Sequence, residues 1–244
     1  NAKYFTSANI FAGVEAWEHN RVRVAVRLRP PVGSERSEVP VDHAVRADGG
    51  ASAVDLNEEA IGRALDEPRL RYDAVFGPEA TQAQVYASLC APMLRDVMLG
   101  RVGTLMCYGQ TGTGKTYTMG TGSGKGDTRA GVDERDSKVV GLLPRALRQL
   151  FAEAGKDDAA DYSMQMSYVQ LYRERFQDLL NPREDNLPLH DSGTSVSIAN
   201  LTEHPVASAD EALALVRRGN MARKTGSTRM NLSSNRSHVI LILS

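Results

Sequence analysis

Short segments in which apolar and polar residues alternate recur along the chain, and this period of two predicts half-buried strands. The longest is Tyr162–Tyr172, and Val22–Leu28 and Leu70–Phe76 have the same pattern over fewer residues. Residues 33 to 62 alternate more weakly around a Gly49–Gly50 turn, which suggests a small strand meander.

Two other segments are apolar throughout, as is typical of strands that are buried on both faces. Val102–Tyr108 is bounded by glycines and leads directly into a glycine-rich stretch, so we expect a buried central strand. Val239–Leu243 is expected to be a buried strand on its composition. Residues 1 to 20 have no clear period, and we treat them as an N-terminal extension.

Apolar residues recur at the helical period in Thr81–Gly100, Leu142–Phe151 and Ser208–Met221. Thr81 is a suitable N-cap and Gly100 a suitable stop, while Ser208 and Glu211 have the spacing of a capping box. Residues 120 to 138 are rich in glycine and charge and indicate a surface insertion. Strands that alternate with helices predict an α/β domain, with helices on both faces of a mixed, mostly parallel sheet.

The composition restricts the classes of partner. The chain has 244 residues and a formal net charge of −1, and this near-neutral balance argues against non-specific nucleic-acid binding, which needs a basic surface. No apolar run reaches the roughly 18 residues that span a bilayer, so we expect no membrane insertion and a cytoplasmic location.

The cysteines and the clearest basic run receive structural interpretations. Cys90 and Cys107 have neither CxxC spacing nor a nearby histidine cluster, so we expect core thiols rather than a disulfide framework or zinc site. Arg217, Arg218, Arg223 and Lys224 are interpreted as a solvated helix end, where cations suit the helix dipole. A binding patch for an acidic partner is the alternative.

Residues 109 to 116 read Gly-Gln-Thr-Gly-Thr-Gly-Lys-Thr and match the phosphate-binding pattern G-x-x-x-x-G-K-[ST] without a mismatch. Glycines let the backbone turn tightly and point N–H groups at phosphate oxygens. Lys115 would bridge the outer phosphates, and the Thr116 hydroxyl would ligate Mg²⁺. The strand predicted before the loop and the helix after it disfavour a chance match, so we expect a nucleoside triphosphate site.

Around this loop, several segments follow the order of the kinesin motor family, and residues 22 to 244 resemble that family. The segments that carry the resemblance are Arg27–Pro30, Tyr72–Phe76, Thr81–Gln82, Val85–Tyr86, Tyr108–Met119, Gly141–Ala146, Tyr172–Leu180 and Asn231–His238. The resemblance implies the kinesin motor fold, ATP and Mg²⁺ as ligands, ATP hydrolysis, the microtubule as partner and a location on the cytoskeleton. It assigns residues 21 to 244 to the motor domain as far as the first switch.

The resemblance also implies roles for single residues. The residues that it assigns to ATP are Arg29, Pro30, Gln110, Thr111, Gly112, Thr113, Gly114, Lys115, Thr116, Tyr117 and Asn231. Those that it assigns to catalysis are Lys115, Ser234, Asn235, Arg236 and Ser237. Arg29 and Pro30 would border the adenine and Tyr117 would pack on its other side, although a structural role is an equal alternative for each.

The predicted first switch departs from the family pattern at one position. The family usually reads N-x-x-S-S-R-S-H, whereas residues 231 to 238 have Asn235 in place of a serine. In the family the hydroxyl of that serine helps to hold Mg²⁺ or the water network at the terminal phosphate. An amide carbonyl can still ligate a metal, so Thr116 and Asn235 are the expected ligands, but the longer side chain changes the geometry. We therefore expect slow or altered hydrolysis.

The family pattern continues past residue 244. The resemblance implies a second switch that reads Asp-x-x-Gly-x-Glu, further helices that contact the microtubule, and a neck. None of these is in the sequence, so we expect either a partial sequence or a naturally shortened relative. Dimerisation would depend on regions outside these residues, and motor activity is not expected of them alone.

Two subfamilies have similar local sequence. Gln170, Leu171–Glu174, Gln177–Pro182 and Asp185–Pro188 are similar to the ungrouped kinesins with armadillo repeats, which we prefer. Leu105–Tyr108 with Gly141–Ala146 is similar to the kinesin-9 family, which is associated with cilia and flagella. Three functions stay open: a microtubule motor ATPase, a kinesin-like tether with impaired hydrolysis, and an unrelated P-loop kinase or GTPase that no other motif supports.

Overall fold

The computed structural model describes residues 22–30, 45–62, 64–121, 139–156, 161–183, 185–229 and 237–244. They form two compact units, divided in the sequence between Leu99 and Gly100. No helix within these ranges has both the length and the apolar character that a membrane crossing requires. The predicted extension, residues 1 to 20, and most of the predicted insertion, residues 122 to 138, lie outside the described residues.

The first unit consists of small sheets and short helices. Its strands are β1 (Ala25–Arg27), β2 (Val45–Asp48), β3 (Ala53–Leu56), β4 (Arg69–Arg71) and β5 (Ala74–Phe76), and its α-helices are α1 (Glu58–Ile61), α2 (Gln82–Val85) and α3 (Ala91–Met98). Strands β1 and β5 pair in parallel, and β2, β3 and β4 form an antiparallel sheet. The strand predicted within residues 22 to 28 and the predicted meander are therefore confirmed with narrower bounds.

The segment Leu70–Phe76, expected to be one strand, is divided between two sheets. After β4 has paired with β3, the backbone N–H of Asp73 donates to the carbonyl of Val24 at 2.9 Å. The Asp73 carboxylate accepts a bond from the N–H of Val24 at 2.7 Å. These two bonds move the chain from one partner strand to another, so β5 pairs with β1 instead.

The helical segment that starts after Thr81 is confirmed, but it is not a uniform α-helix. Thr81 and Gln84 form a complete capping box at its start. Residues Tyr86–Cys90 adopt a π-helical turn, in which Ala91 donates to the carbonyl of Tyr86. Pro92 follows at once and has no N–H to donate, which accounts for the local change of hydrogen-bond pattern. Gly100, with φ of 83°, ends the segment as expected.

The second unit is built around strand β6 (Gln165–Tyr172). Its other strands are β7 (Arg175–Asp178), β8 (Asp185–Leu187), β9 (Leu189–Asp191), β10 (Val196–Ile198), β11 (His204–Pro205) and β12 (His238–Leu243), and its helices are α4 (Lys115–Met119), α5 (Leu142–Ala154) and α6 (Ala209–Arg229). Strand β6 pairs antiparallel with β7, β11 and β12, and β8 extends the sheet from β7. Strands β9 and β10 form a separate hairpin.

The core of this unit lies between β6 and helix α6. Its buried members are Leu147, Met166, Tyr168, Leu179, Leu180, Val206, Ala212, Leu213 and Val216. Helix α6 approaches the strand at Gly219, where a Cβ would lie 2.3 Å from Cδ1 of Tyr168. This position therefore has no space for a side chain. The helix begins where Ser208 Oγ accepts from the N–H of Glu211, and it continues to Arg229 rather than ending near Met221.

Two strand predictions need correction. Residues 102 to 108 form no strand, and Val102 and Tyr108 are 98% and 91% exposed. A strand exists only where neighbouring backbone groups pair with it, and no described segment pairs with this one. Strand β12 is confirmed, but only one face is covered, because exposure alternates along it and leaves Ile240 and Ile242 about two-fifths exposed.

A fully buried carboxylate, Asp178, organises the turn after β7. One of its oxygens accepts from the backbone N–H groups of Leu180 and Asn181, at 2.7 and 3.0 Å. The other accepts from the N–H of Thr202 at 2.9 Å and from the hydroxyl of the same residue. A buried carboxylate is tolerated because each of these bonds runs from a donor to one of its oxygens.

Asp178→Ala is expected to lower the free energy of unfolding by about 3 kcal/mol or more, because it leaves three backbone donors without their acceptor. Urea unfolding would measure the loss. Asp191→Ala is the matched control, since Asp191 is exposed and its carboxylate accepts, among the described residues, from Gly193 alone. It should cost less than about 1 kcal/mol. Equal losses in the two variants would contradict this interpretation of Asp178.

Tyr168 is 1% exposed, and its burial raises the pKa of the phenol to about 12 from 10.0, against the opposing charge of Arg223. Between those pH values the phenol of Tyr168 ionises only in the unfolded chain. The contribution of Tyr168 to stability is therefore complete below pH 10 and is lost as the pH rises towards 12. At 1.36 kcal/mol for each pH unit, the loss amounts to about 2.7 kcal/mol. The difference in unfolding free energy between wild type and Tyr168→Phe should fall accordingly between pH 9 and 11.5, and a constant difference would contradict the raised pKa.

Candidate functional site

The glycine-rich stretch, residues 109 to 116, forms a loop that ends in helix α4. Gly112 and Gly114 have φ of 86° and 96°, in the left-handed region that side chains disfavour. A Cβ on Gly112 would meet nothing within 4 Å, so the conformation rather than the space requires glycine there. The predicted helix after the motif is confirmed, although it is only five residues long.

Lys115 folds back over the loop that precedes it. Its ammonium donates to the carbonyl oxygens of Gly109 at 2.7 Å and of Gln110 at 2.8 Å. The Gln110 carbonyl also accepts from Thr113, from the hydroxyl at 2.8 Å and from the N–H at 3.3 Å. These bonds hold the loop in a closed turn with the lysine charge at its centre.

The rest of the motif is open to a ligand. Gln110, Thr111, Gly112, Thr113 and Thr116 are exposed, and Gly114 and Lys115 are half-buried. An ammonium, a hydroxyl and the N–H groups of an exposed glycine-rich loop are the donors and ligands that a metal-bound polyphosphate requires. The residues present therefore fit Mg²⁺ and a nucleoside triphosphate, and the role of Thr116 as a metal ligand stays a prediction. The described residues contain no cluster of His, Cys, Asp and Glu that could hold a different metal.

The far end of α4 is held by the backbone of the same unit. The N–H groups of Gly120 and Thr121 donate to the carbonyl of Thr116, at 2.9 and 3.3 Å. A Cβ on Gly141 would lie 2.3 Å from the Cα of Gly120, so the two glycines are in backbone contact at the start of α5. The end of α4 is thus fixed against the start of α5.

The residues predicted to border the adenine are divided between the two units of the chain. Arg29 is half-buried in the first unit, where its guanidinium donates to the Pro30 carbonyl at 3.1 Å, and Pro30 is exposed. Tyr117 is half-buried on α4 of the second unit. The adenine-binding role of all three stays a prediction.

Most of the predicted first switch, including Asn231, Ser234, Asn235 and Arg236, lies outside the described residues. Ser237 is described, and its hydroxyl accepts a bond from the guanidinium of Arg223 at 2.9 Å. Burial lowers the pKa of Arg223, an effect that the nearby Tyr168 opposes. The interpretation of Arg223 as part of a solvated helix end is therefore wrong, whereas Arg217 and Arg218 are exposed as expected.

The sequence interpretation missed Asn220, which is 6% exposed. Its carbonyl oxygen accepts from the phenol of Tyr168 at 2.8 Å, and its amide donates to the carbonyl of Thr121 at 2.7 Å. A signal was present, because Asn220 follows Leu213 and Val216 at the helical period and so places an amide on the apolar face of α6.

Comparison with known proteins identifies the family. The family model described as the kinesin motor domain matches residues 27–244. A kinesin heavy chain from Syncephalastrum racemosum is 33% identical over 229 residues, which are 91% of this chain and 22% of that protein. The kinesin-like protein Klp61F from Drosophila melanogaster is 34% identical, over 91% of this chain and 20% of its own length.

A solved structure gives the same result. The structure of a fast kinesin, solved for its implications for the ATPase mechanism and the interactions with microtubules, is similar with a TM-score of 0.77 and 30% sequence identity. The similarity covers 91% of this chain and 58% of that chain. The chain thus spans about a fifth of the length of these curated relatives. The predicted fold class is confirmed, and the chain belongs to the kinesin motor domain family.

Proposed function

We propose that this chain forms the ATP-binding part of a microtubule-dependent motor ATPase. The observation that carries the proposal is the loop at residues 109 to 116, where glycine conformations and the position of Lys115 fit a phosphate chain. Family membership supports ATP as the nucleotide and the microtubule as the partner. The similar solved structure is of a kinesin whose ATPase mechanism and interactions with microtubules it addresses.

Lys115 has the central role in this proposal. Its charge, now shared between two loop carbonyls, would turn to the outer phosphates and neutralise the charge that develops as the terminal phosphoryl group leaves. The Thr116 hydroxyl would hold the metal, and bound Mg²⁺ would supply further charge neutralisation. Gln110, Thr111, Gly112, Thr113 and Gly114 would offer backbone N–H groups to the phosphates.

The predicted first switch completes the proposal. Asn231, Ser234, Arg236 and Ser237 would respond to the terminal phosphate, with Asn235 as a weaker metal ligand than serine. The family resemblance assigns Arg29, Pro30 and Tyr117 to the adenine. A position on cytoplasmic microtubules follows from the motor proposal, and an axonemal position in a cilium or flagellum is supported only by the similarity to the kinesin-9 family.

ATP turnover by the full-length protein should rise when microtubules are added. Lys115→Ala should reduce turnover about 100-fold or more, because a charge that contacts the transferring group contributes about 3 kcal/mol or more to the barrier. Lys156→Ala is the matched control, since this exposed lysine pairs with Glu153 at 3.2 Å and should leave turnover unchanged. A wild-type protein that binds ATP without microtubule stimulation would favour a tether over a motor.

Asn235→Ser should raise the turnover of the full-length protein about fivefold, since a better metal ligand that lowers the barrier by about 1 kcal/mol has that effect. Asn235→Ala should lower turnover, because it removes the carbonyl oxygen altogether. Single-turnover hydrolysis would measure both. An unchanged or lower rate for Asn235→Ser would reject the proposed role of Asn235.

A further inference from the structure

We propose that Asn220 is a positioning residue for the nucleotide site, which it reaches through the carbonyl of Thr121 and the end of helix α4. The inference rests on the proposed function of the phosphate loop. It assigns to helix α6 an indirect link to that loop, which one buried side chain makes by way of Thr121.

The side chain of Asn220 is hydrogen-bonded at both its carbonyl and its amino group. A buried amide must satisfy both its carbonyl and its amino group, and Asn220 does so with two partners from distant parts of the unit. Tyr168 lies 52 residues earlier and Thr121 lies 99 residues earlier in the sequence. Neither bond stabilises α6 locally, so their effect is to fix the helix against β6 on one side and against the end of α4 on the other.

A backbone hydrogen bond connects Thr121 with the last residue of the loop, Thr116. The N–H of Thr121 and the N–H of Gly120 donate to the carbonyl of Thr116, the residue whose hydroxyl is expected to hold the metal. Because α4 has only five residues, one helical turn separates this carbonyl from Thr121. A displacement of Thr121 therefore displaces the backbone of Thr116 by a similar distance.

Helix α6 is itself held rigidly at the turn that carries Asn220. Gly219 adjoins Asn220 and leaves no space between α6 and the ring of Tyr168, since a Cβ there would lie 2.3 Å from that ring. One turn further along α6, Arg223 donates to the Ser237 hydroxyl. Helix α6 is thus held in place at Gly219. Its side chains connect the backbone of Thr116, by way of Thr121, with Ser237, the residue before β12.

Two variants separate the two bonds of Asn220. Asn220→Asp retains an oxygen for the phenol of Tyr168 but replaces the donor to Thr121 with a second oxygen, which repels that carbonyl. Tyr168→Phe removes the phenolic hydroxyl, keeps the ring and leaves the bond from Asn220 to Thr121 in place. Both lose one buried hydrogen bond, so thermal unfolding of the full-length protein should show destabilisation in each.

The test is the affinity of the full-length protein for a fluorescent ATP analogue in the presence of Mg²⁺. Asn220→Asp should weaken binding about fivefold or more, while Tyr168→Phe should remain within about twofold of wild type. If both variants bind as wild type does, or if both are weakened equally, Asn220 has only a structural role and the proposal is overturned. If the wild type itself does not bind the analogue, the proposed function fails first.

A variant that does not fold would not leave the question open. Asn220→Ala removes both bonds without adding a charge. In the Tyr168→Phe background the bond to Tyr168 is already absent, so Asn220→Ala there removes only the bond to Thr121. In the Tyr168→Phe background, Asn220→Ala should again weaken nucleotide binding about fivefold. No further weakening in that background would refute the proposal.

Discussion

The contact between helix α6 and strand β6 is the constraint on which the second unit depends. It is made where the helix has no side chain, at Gly219, so the ring of Tyr168 meets the helix backbone directly. Leu213 and Val216 fill the same interface and are fully buried. Because a packed interior resists volume changes of even one methyl group, this contact sets the distance at which the polar bonds of Asn220 and Arg223 can form.

Features that depend on neighbouring residues were predictable from the sequence. The capping box at Thr81, the glycine stop at Gly100 and the long strand that became β6 follow from local rules of hydrogen bonding and side-chain period. The phosphate loop belongs to the same group, because its function requires glycine and lysine at fixed spacing. For that reason the central element of the candidate site, and the family itself, could be recognised before the structure.

Features that depend on distant partners were not predictable. Residues 102 to 108 have the composition of a buried strand, yet composition does not supply the strand that must pair with them. The division of residues 70 to 76 into two strands follows from the bonds of Asp73 with Val24. Asn220 bonds to Thr121, which lies 99 residues earlier in the sequence, and no local pattern encodes that pairing.

The backbone contact of Gly120 with Gly141 has a consequence for how such a domain can diversify. The two glycines stand at the two ends of residues 121 to 140, so their contact brings the ends of that segment together. Each doubling of the length of a flexible loop costs only about 0.6 kcal/mol of closure entropy. Relatives could therefore lengthen, shorten or replace this segment at small thermodynamic cost, provided that both glycines are retained.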